Sequence, residues 1–485
     1  MFRAVCLVLL GVVASGLPVQ AAVLTVTKTA DTLDGACDRD CSLREAVVAA
    51  NALPGADAIV VPAGVYVLTR PGKEDASAGG DLDVQEDLAI LGAGARATIL
   101  DGGGIDRVLH GVIGDVLEVH GVTIRNGRAL GTGGDGGGIL GNRVVLTACH
   151  VTGNQASRQG GGAFAFNLEA SDTTFSDNEA SAGGAIASSD VLRLTNVTIS
   201  GNRAEIGGGL YIETGDQVLT QVTITGNRAV SGGGFYHELF FCPSGVGFCI
   251  LGFAITRSIV AGNVATGTPP SHPDCRAYTD SVPGSFNVFG VDNLDCNPGS
   301  TDRAGTLAAP LDPRLAPLGD HGGPTPTHLP LPDSPALDRI PSGCTAADQR
   351  GRPRPAGSGC DSGAVERALG CQPGADILCL GAGERFQVQV RWSAQGQTGA
   401  AGAVPLTADT GSFWFFDADN IELTLKVLDG CNLNGRFWVF LTGSTDVGVE
   451  VEVKDTVTGR TWTHTHTAGT PLQPRLDTNA LEVCP

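Results

Sequence analysis

The sequence predicts an all-β chain: a parallel β-helix with a capping helix at its N-terminal end, followed by a small antiparallel β-sandwich. Three observations carry this. Glycine accounts for 70 of 485 residues, about twice ordinary usage and without the G-X-Y period of collagen. Four copies of one segment, VTGNQASRQGGGAFA (151–165), FSDNEASAGGAIA (175–187), ISGNRAEIGGGLYI (199–212) and ITGNRAVSGGGFYH (224–237), set Asn154, Asn178, Asn202 and Asn227 apart by 24, 24 and 25 residues. After Glu366 these repeats stop and longer alternating strands begin.

Within a copy, Leu192, Leu194, Val197 and Ile199 alternate with polar residues, which is strand periodicity. The parity slips by one at Thr195-Asn196, where the chain turns a corner between two strands. The repeated asparagine, tolerant of left-handed backbone, reads as a second corner, and the glycine cluster as a third. One such unit cannot bury its apolar side alone, but stacked units can. Layers spaced by about 4.8 Å then place like on like, so asparagine amides hydrogen-bond along the axis. Cys149, in LTACHVTGN, occupies the place of Asn196 and Gln221 in neighbouring copies and reads as a buried or corner thiol.

At the N-terminus, Arg3, the apolar run Ala4–Val13 and the small residues before Ala21 and Ala22 have the layout of a secretory signal peptide over residues 1–21. The run is too short for a membrane span, and no transmembrane segment is expected. Thirteen cysteines beyond Cys6 fit an oxidising compartment. Pairing near neighbours gives Cys37–Cys41, Cys242–Cys249, Cys275–Cys296, Cys344–Cys360, Cys371–Cys379 and Cys431–Cys484, although connectivity is not determined by sequence alone. Zinc is disfavoured because no pair has a second C-x-x-C or H-x-x-x-H at a fitting distance. The expected localisation is secreted, extracellular or cell-surface. A net charge of −20, with Lys28, Lys73, Lys426 and Lys454 the only lysines, excludes a nucleic-acid partner.

The F-x-x-N of Phe175–Asn178 followed by Gly183–Ile186 resembles the repeat of polymorphic outer-membrane proteins, which are right-handed parallel β-helices of cell surfaces. CSLREA (41–46), with Gly80–Val84 and Thr98–Val108, is similar to the CSLREA-domain family of exported bacterial β-helices. GDHGGPTPTHLPLPDSPALD (319–338) and DQRGRPRPAGSGCDSGAVE (348–366) resemble the choice-of-anchor Q domain. The resemblance spans most of residues 23–366 and implies a right-handed β-helix outside the cell. Ser42-Leu43-Arg44-Glu45 is itself a capping box, so the CSLREA stretch reads as a helix closing the open end of the solenoid rather than as a site.

The expected organisation is therefore a signal peptide (1–21), an N-terminal strand and capping helix (22–57), a β-helix (58–310), an end segment (311–368) and a β-sandwich (369–485). In the last, FQVQVRW (386–392), SFWFF (412–416), IELTLKVL (421–428), FWVFLTG (437–443), VGVEVEVKDT (447–456) and TWTHTHT (461–467) alternate, with turns at Asp429-Gly430, Asn434-Gly435 and Thr458-Gly459.

No catalytic residue is assigned. β-helix hydrolases carry G-H-G and R-x-K segments that this chain lacks, and a lyase base would fall to arginines such as Arg125, Arg203 or Arg228. Asp81, Asp83, Glu86 and Asp87 read as a solvated acidic turn, as do Asp417 and Asp419. Asp81, Asp83, Asp417 and Asp419 are the candidates for calcium, the one cofactor that oxygen-rich loops leave open. His464 and His466 share a strand face but lack a third ligand nearby. The spacing from Asn227 to Asn263 is 36 rather than 25, and the added residues concentrate aromatics. Tyr236, Phe240, Phe241 and Phe248 form the candidate binding loop, for a glycan or a protein. The expected function is a non-catalytic adhesion or interaction protein; the alternative is a lyase or hydrolase acting on an acidic polysaccharide.

Overall fold

The computed structural model describes residues 21–112, 116–238, 252–267, 272–277, 284–291, 298–367, 370–371, 373–381 and 384–484. Its first part is a parallel β-helix of about eight turns. Three walls wind along it: a long wall in a 14-stranded sheet, a short wall in a 10-stranded sheet, and a third wall of two-residue strands and single bridges. A typical turn runs through Ile186–Thr195, Thr198–Ser200 and a bridge at Arg203 before the next glycine corner.

Alternation sets which side chains enter. Val151, Phe175, Ile199, Ile224 and Val260 stack in register on the short wall, and Leu146, Ala170, Leu194, Leu219 and Ile255 on the long wall; all are at most 4% exposed. They form one continuous core along the axis.

The first corner is left-handed at Ala148, Asp172, Asn196, Gln221 and Arg257, as the parity slip predicts. The second differs from expectation. The left-handed residue is not the repeated asparagine but the one before it: Gly153, Asp177, Gly201, Gly226 and Gly262. That residue turns the chain so that the asparagine side chain points inward, where Asn154, Asn178, Asn202 and Asn227 are at most 1% exposed. Their Nδ2 groups donate to the Oδ1 of the asparagine one turn on, at 3.0, 2.9, 2.9 and, to Asn263, 2.9 Å. Each accepting Oδ1 also takes the backbone N–H of the preceding rung. The other Nδ2 proton goes to a short-wall carbonyl such as Val151 or Phe175. Every amide valence is used in the core, so burial carries no unsatisfied-group penalty.

Cys149 stands one place further along than the sequence comparison put it. Ala148 shares the corner of Asn196 and Gln221, whereas Cys149 points inward in the position of Val197 and Val222. It is a free thiol, and burial pushes its pKa up to about 11.

The N-terminal end is closed by a helix, Leu43–Asn51, with both halves of the Ser42/Glu45 capping box formed. Its Arg44 is fully buried. Nε and Nη2 donate to Asp31, and the remaining donors reach the carbonyls of Ser77, Gly80 and Asp81. After the last short-wall strand, Arg303–Ala304, the chain doubles back outside that wall. Gly363 N donates to Arg257 O, Thr345 N to Gln221 Oε1, Thr198 Oγ1 to Gln349 Oε1 and Thr325 Oγ1 to Asp172 O, and Asp320 pairs with Arg96. The strap is itself knotted by buried ion pairs, Arg350–Asp348 at 2.7 Å and Arg354–Glu366 at 3.0 Å.

The C-terminal part is a sandwich of two five-stranded antiparallel sheets around Phe386, Phe413, Leu425, Val439 and Val451. Strands Ile421–Gly430 and Arg436–Gly443 are joined by a short helix, Cys431–Asn434, ending at left-handed Gly435, in place of the turn expected at Asp429-Gly430. Disulfides Cys37–Cys41, Cys344–Cys360, Cys371–Cys379 and Cys431–Cys484 are present. They point to an oxidising environment. Cys275 is disulfide-bonded; Cys242, Cys249 and Cys296 lie outside the described residues, as does most of the signal-peptide segment. Among the described residues no helix is long and apolar enough to cross a membrane.

Replacing Asn202 by alanine orphans two buried donors of Asn178, at about 1–3 kcal/mol each. The expected loss is about 3 kcal/mol, read as a lowered urea midpoint. The asparagine ladder ends on Asp274, whose Oδ1 accepts both the N–H and the Nδ2 of Asn263. Burial pushes its pKa up to about 6, against the hydrogen bonds that pull it down. Its folded-state value thus exceeds the roughly 3.9 of an unfolded aspartate. The group favours the fold when protonated, and its contribution is lost as pH rises through about 6. Asp274→Asn, which cannot ionise, should show a smaller fall in urea midpoint between about pH 4 and pH 6 than the parent.

Candidate functional site

On a parallel wall, outward residues of successive turns form columns. The register of the long wall aligns Asp83, His110, Leu140 and Phe164. The same column continues through Ala187, Tyr211, Tyr236 and Arg276. Phe164, Ala187, Tyr211 and Tyr236 make a small apolar cluster outside the wall, separate from the core, with Ala182 and Ile206 of the glycine corner beside them. Tyr211 and Tyr236 stack with ring centroids 5.9 Å apart and planes 27° apart. Phe164 meets the half-exposed Phe166 edge-on at 6.0 Å.

Carboxylates and an amide flank these rings. The Tyr211 hydroxyl donates to Glu238. Burial, then Glu238, raises its pKa, so the phenol stays protonated. Gln159 Nε2 donates to Glu213 Oε1 at 2.6 Å. Aromatic faces beside hydroxyl, amide and carboxylate groups can hold a sugar ring by its C–H face and its hydroxyl edge together.

Tyr236 therefore joins a column that runs back to the first turns. Phe235 and Phe253, from the same aromatic concentration, point inward at 0% and 2% exposure, with centroids 5.4 Å apart. Phe240, Phe241 and Phe248 lie outside the described residues. Tyr211 and Phe164 were missed as site residues; their signal was the alternation of GLYIE and AFAFN, which faces them opposite to Leu210, Ile212, Ala163 and Ala165.

The acidic turn at 81–87 is not uniformly solvated. Asp81 and Asp83 are 2% and 0% exposed, because the capping helix and the loop before them cover that strand. Asp81 pairs with Arg107 at 3.0 Å, and burial, then neighbouring Asp83, raises its pKa. Asp83 accepts from Ser77 N and lies 2.9 Å from His110 Nδ1. Asp75 Oδ1 lies 3.7 Å from the same ring nitrogen, so Asp75, Asp83 and His110 bring three ligand atoms within 4.8 Å of one another. That falls short of the six to eight oxygens calcium takes. Asp417 and Asp419 sit on an exposed turn, with Asp419 N donating to Asp417 Oδ1. His464 stacks on Trp462, and His466 Nε2 lies 2.8 Å from the Thr470 carbonyl.

Of the arginines weighed as bases, Arg125 is held by Asp101 at 2.8 Å, while Arg203 and Arg228 stand in register on the third wall. The strap brings His328 Nε2 within 2.8 Å of Ser200 Oγ, but that serine is only 6% exposed and His328 Nδ1 faces the Ala316 carbonyl at 2.7 Å. The pair staples the strap to the wall.

No protein-family model, curated protein or solved structure matches this chain.

Proposed function

We propose that this is an exported, surface-associated binding protein without catalytic activity, which holds a glycan chain along the aromatic column of the long wall. The observation that carries the reading is the Tyr211–Tyr236 stack, continued by Phe164 and Phe166 and flanked by Glu213 and Glu238. Partly exposed Phe164 and Tyr236 and the 49% exposed Phe166 offer an elongated ligand repeated contacts along the axis, with Tyr211, 6% exposed, backing Tyr236 through the stack; exposed apolar surface of this kind marks interaction sites. The disulfides, the layout of residues 1–21 and the resemblance of CSLREA to exported β-helices support a place outside the cell.

The test is retention of the purified protein on a panel of immobilised polysaccharides, read together with new reducing ends and new unsaturated ends. At least one polysaccharide should retain it without being cut. Tyr236→Ala combined with Phe166→Ala, both at solvent-reaching positions, should weaken that retention at least tenfold, about 1.4 kcal/mol, with an unchanged melting temperature. Equal retention by the variant defeats the reading. Product formation would replace it with polysaccharide cleavage, and the Asp83–His110 pair at the far end of the same column would be the first place to mutate.

A further inference from the structure

The far end of the long-wall column, Asp83 and His110, lies under a loop that brings a third ligand-bearing side chain to it. Asp83 and His110 are register partners on neighbouring strands, Leu82–Val84 and Leu109–Gly111. Their spacing is therefore set by a rigid parallel ladder. The loop over residues 74–79 is fixed to the first of these strands. Ser77 N donates to Asp83 Oδ2 and Ser77 Oγ to the Asp83 carbonyl, both at 2.9 Å, while Gln85 Nε2 donates to the Asp75 carbonyl. Glu74 ties the loop to itself by accepting from Ala76 N and Gly79 N. Asp75 is thereby held over the pair, with Oδ1 3.7 Å from His110 Nδ1.

Charge at this point is unbalanced. Among the described residues, Asp75 and Asp83 form ion pairs with His110 alone, and Asp83 is fully buried. The nearby guanidinium groups are committed elsewhere. Arg107 holds Asp81 and the carbonyls of Gly133 and Asp135, and Arg44 holds Asp31 and three carbonyls. Two carboxylates thus share one imidazole, and a buried carboxylate needs a compensating charge. A divalent cation between them supplies it.

We infer that Asp75, Asp83 and His110 form a binding site for a first-row divalent cation such as zinc. The donor set selects the ion. Imidazole suits zinc and its neighbours, whereas calcium and magnesium take oxygen ligands. Ligands about 2.0–2.2 Å from a tetrahedral zinc stand about 3.3 Å apart. The distances from His110 Nδ1, 2.9 Å to Asp83 and 3.7 Å to Asp75, bracket that value, and all three ligand atoms lie within 4.8 Å of one another. Ser77 N on Asp83 Oδ2 is the outer hydrogen bond that orients a ligating carboxylate. The Asp75 side chain is 78% exposed, so the ion has an entry path and a water can complete its coordination. The site does not depend on the glycan reading of the aromatic column.

The experiment is isothermal titration of the untagged full chain, stripped with EDTA and dialysed, with zinc chloride and separately with calcium and magnesium chloride. Zinc should bind at one ion per chain and at least tenfold more tightly than calcium or magnesium. Asp75→Asn, at an exposed position, and His110→Gln should each weaken zinc binding at least tenfold, with an unchanged circular-dichroism spectrum. His464→Gln with His466→Gln, on the sandwich, should leave it unchanged. The inference is overturned if zinc does not bind, if calcium binds as tightly, or if Asp75→Asn binds zinc as tightly as the parent. In that last case His110 does no more than pair with Asp83. Loss of binding in the His464/His466 variant would place the ion on the sandwich and overturn the inference equally.

Discussion

A solenoid turns three corners per turn, and a corner breaks the strand ladder that would otherwise satisfy the backbone beside it. The asparagine column resolves this at the second corner. From Asn178 onward each Oδ1 accepts a backbone N–H and a side-chain N–H from the turn before, and each Nδ2 donates both protons within the core. The arrangement closes only if successive asparagines sit one layer apart, whether the chain between them runs 24 residues, as from Asn154 to Asn178, or 36, as from Asn227 to Asn263. Register on all three walls follows from that tie. The inward stacks of valine, leucine and isoleucine are one consequence, and the outward columns of aromatic and charged residues are another.

The ends and one flank need separate solutions, and the residues that look most like chemistry are used there. Arg44, in the middle of CSLREA, donates all its described hydrogen bonds to Asp31 and to carbonyls at the mouth of the first turn. Glu45 is pushed up by burial, but hydrogen bonds from Ser42, Thr32 and Asp34 and the nearby Lys28 lower its pKa overall, so it stays ionised as a cap. At the other end of the ladder the last rung is Asp274, an acceptor on its asparagine side. Along the short wall, Asp348, Arg350, Arg354 and Glu366 form a buried network whose partners are one another and the strap's own backbone. A buried ion pair is a weak source of stability, but it specifies one path for a segment without regular secondary structure.

The strap covers the short wall, while among the described residues the long wall presents Phe164, Phe166 and Tyr236 to solvent and the third wall Arg203 and Arg228. They differ in kind. The long wall carries rings and carboxylates, suited to stacking. The third carries Glu179, Arg203, Glu205 and Arg228 over a floor of alanine. Both are columns parallel to the axis, so both fit elongated ligands better than compact ones.

Much of the fold is legible in the sequence. Asparagine spacing, alternation and the parity slip at Asn196 determined a stacked three-wall coil, and the S-x-x-E of residues 42–45 determined its cap, because these depend on local backbone preference and on periodicity. Less was legible where two distant segments had to meet. The left-handed residue at the second corner is the one before each asparagine, since only the packed core demands that the amide point inward. Asp81 and Asp83 look solvated in sequence and are buried because the helix and a loop close over them. Tyr236 was singled out, but its partners Tyr211 and Phe164 were not, because they lie one and three turns away in the chain and adjoin it only through strand register. Sequence alone determined which residues recur and how often; tertiary structure decided which recurrences face solvent, since among the described residues the strap from 311 onward packs on the short wall and not on the other two.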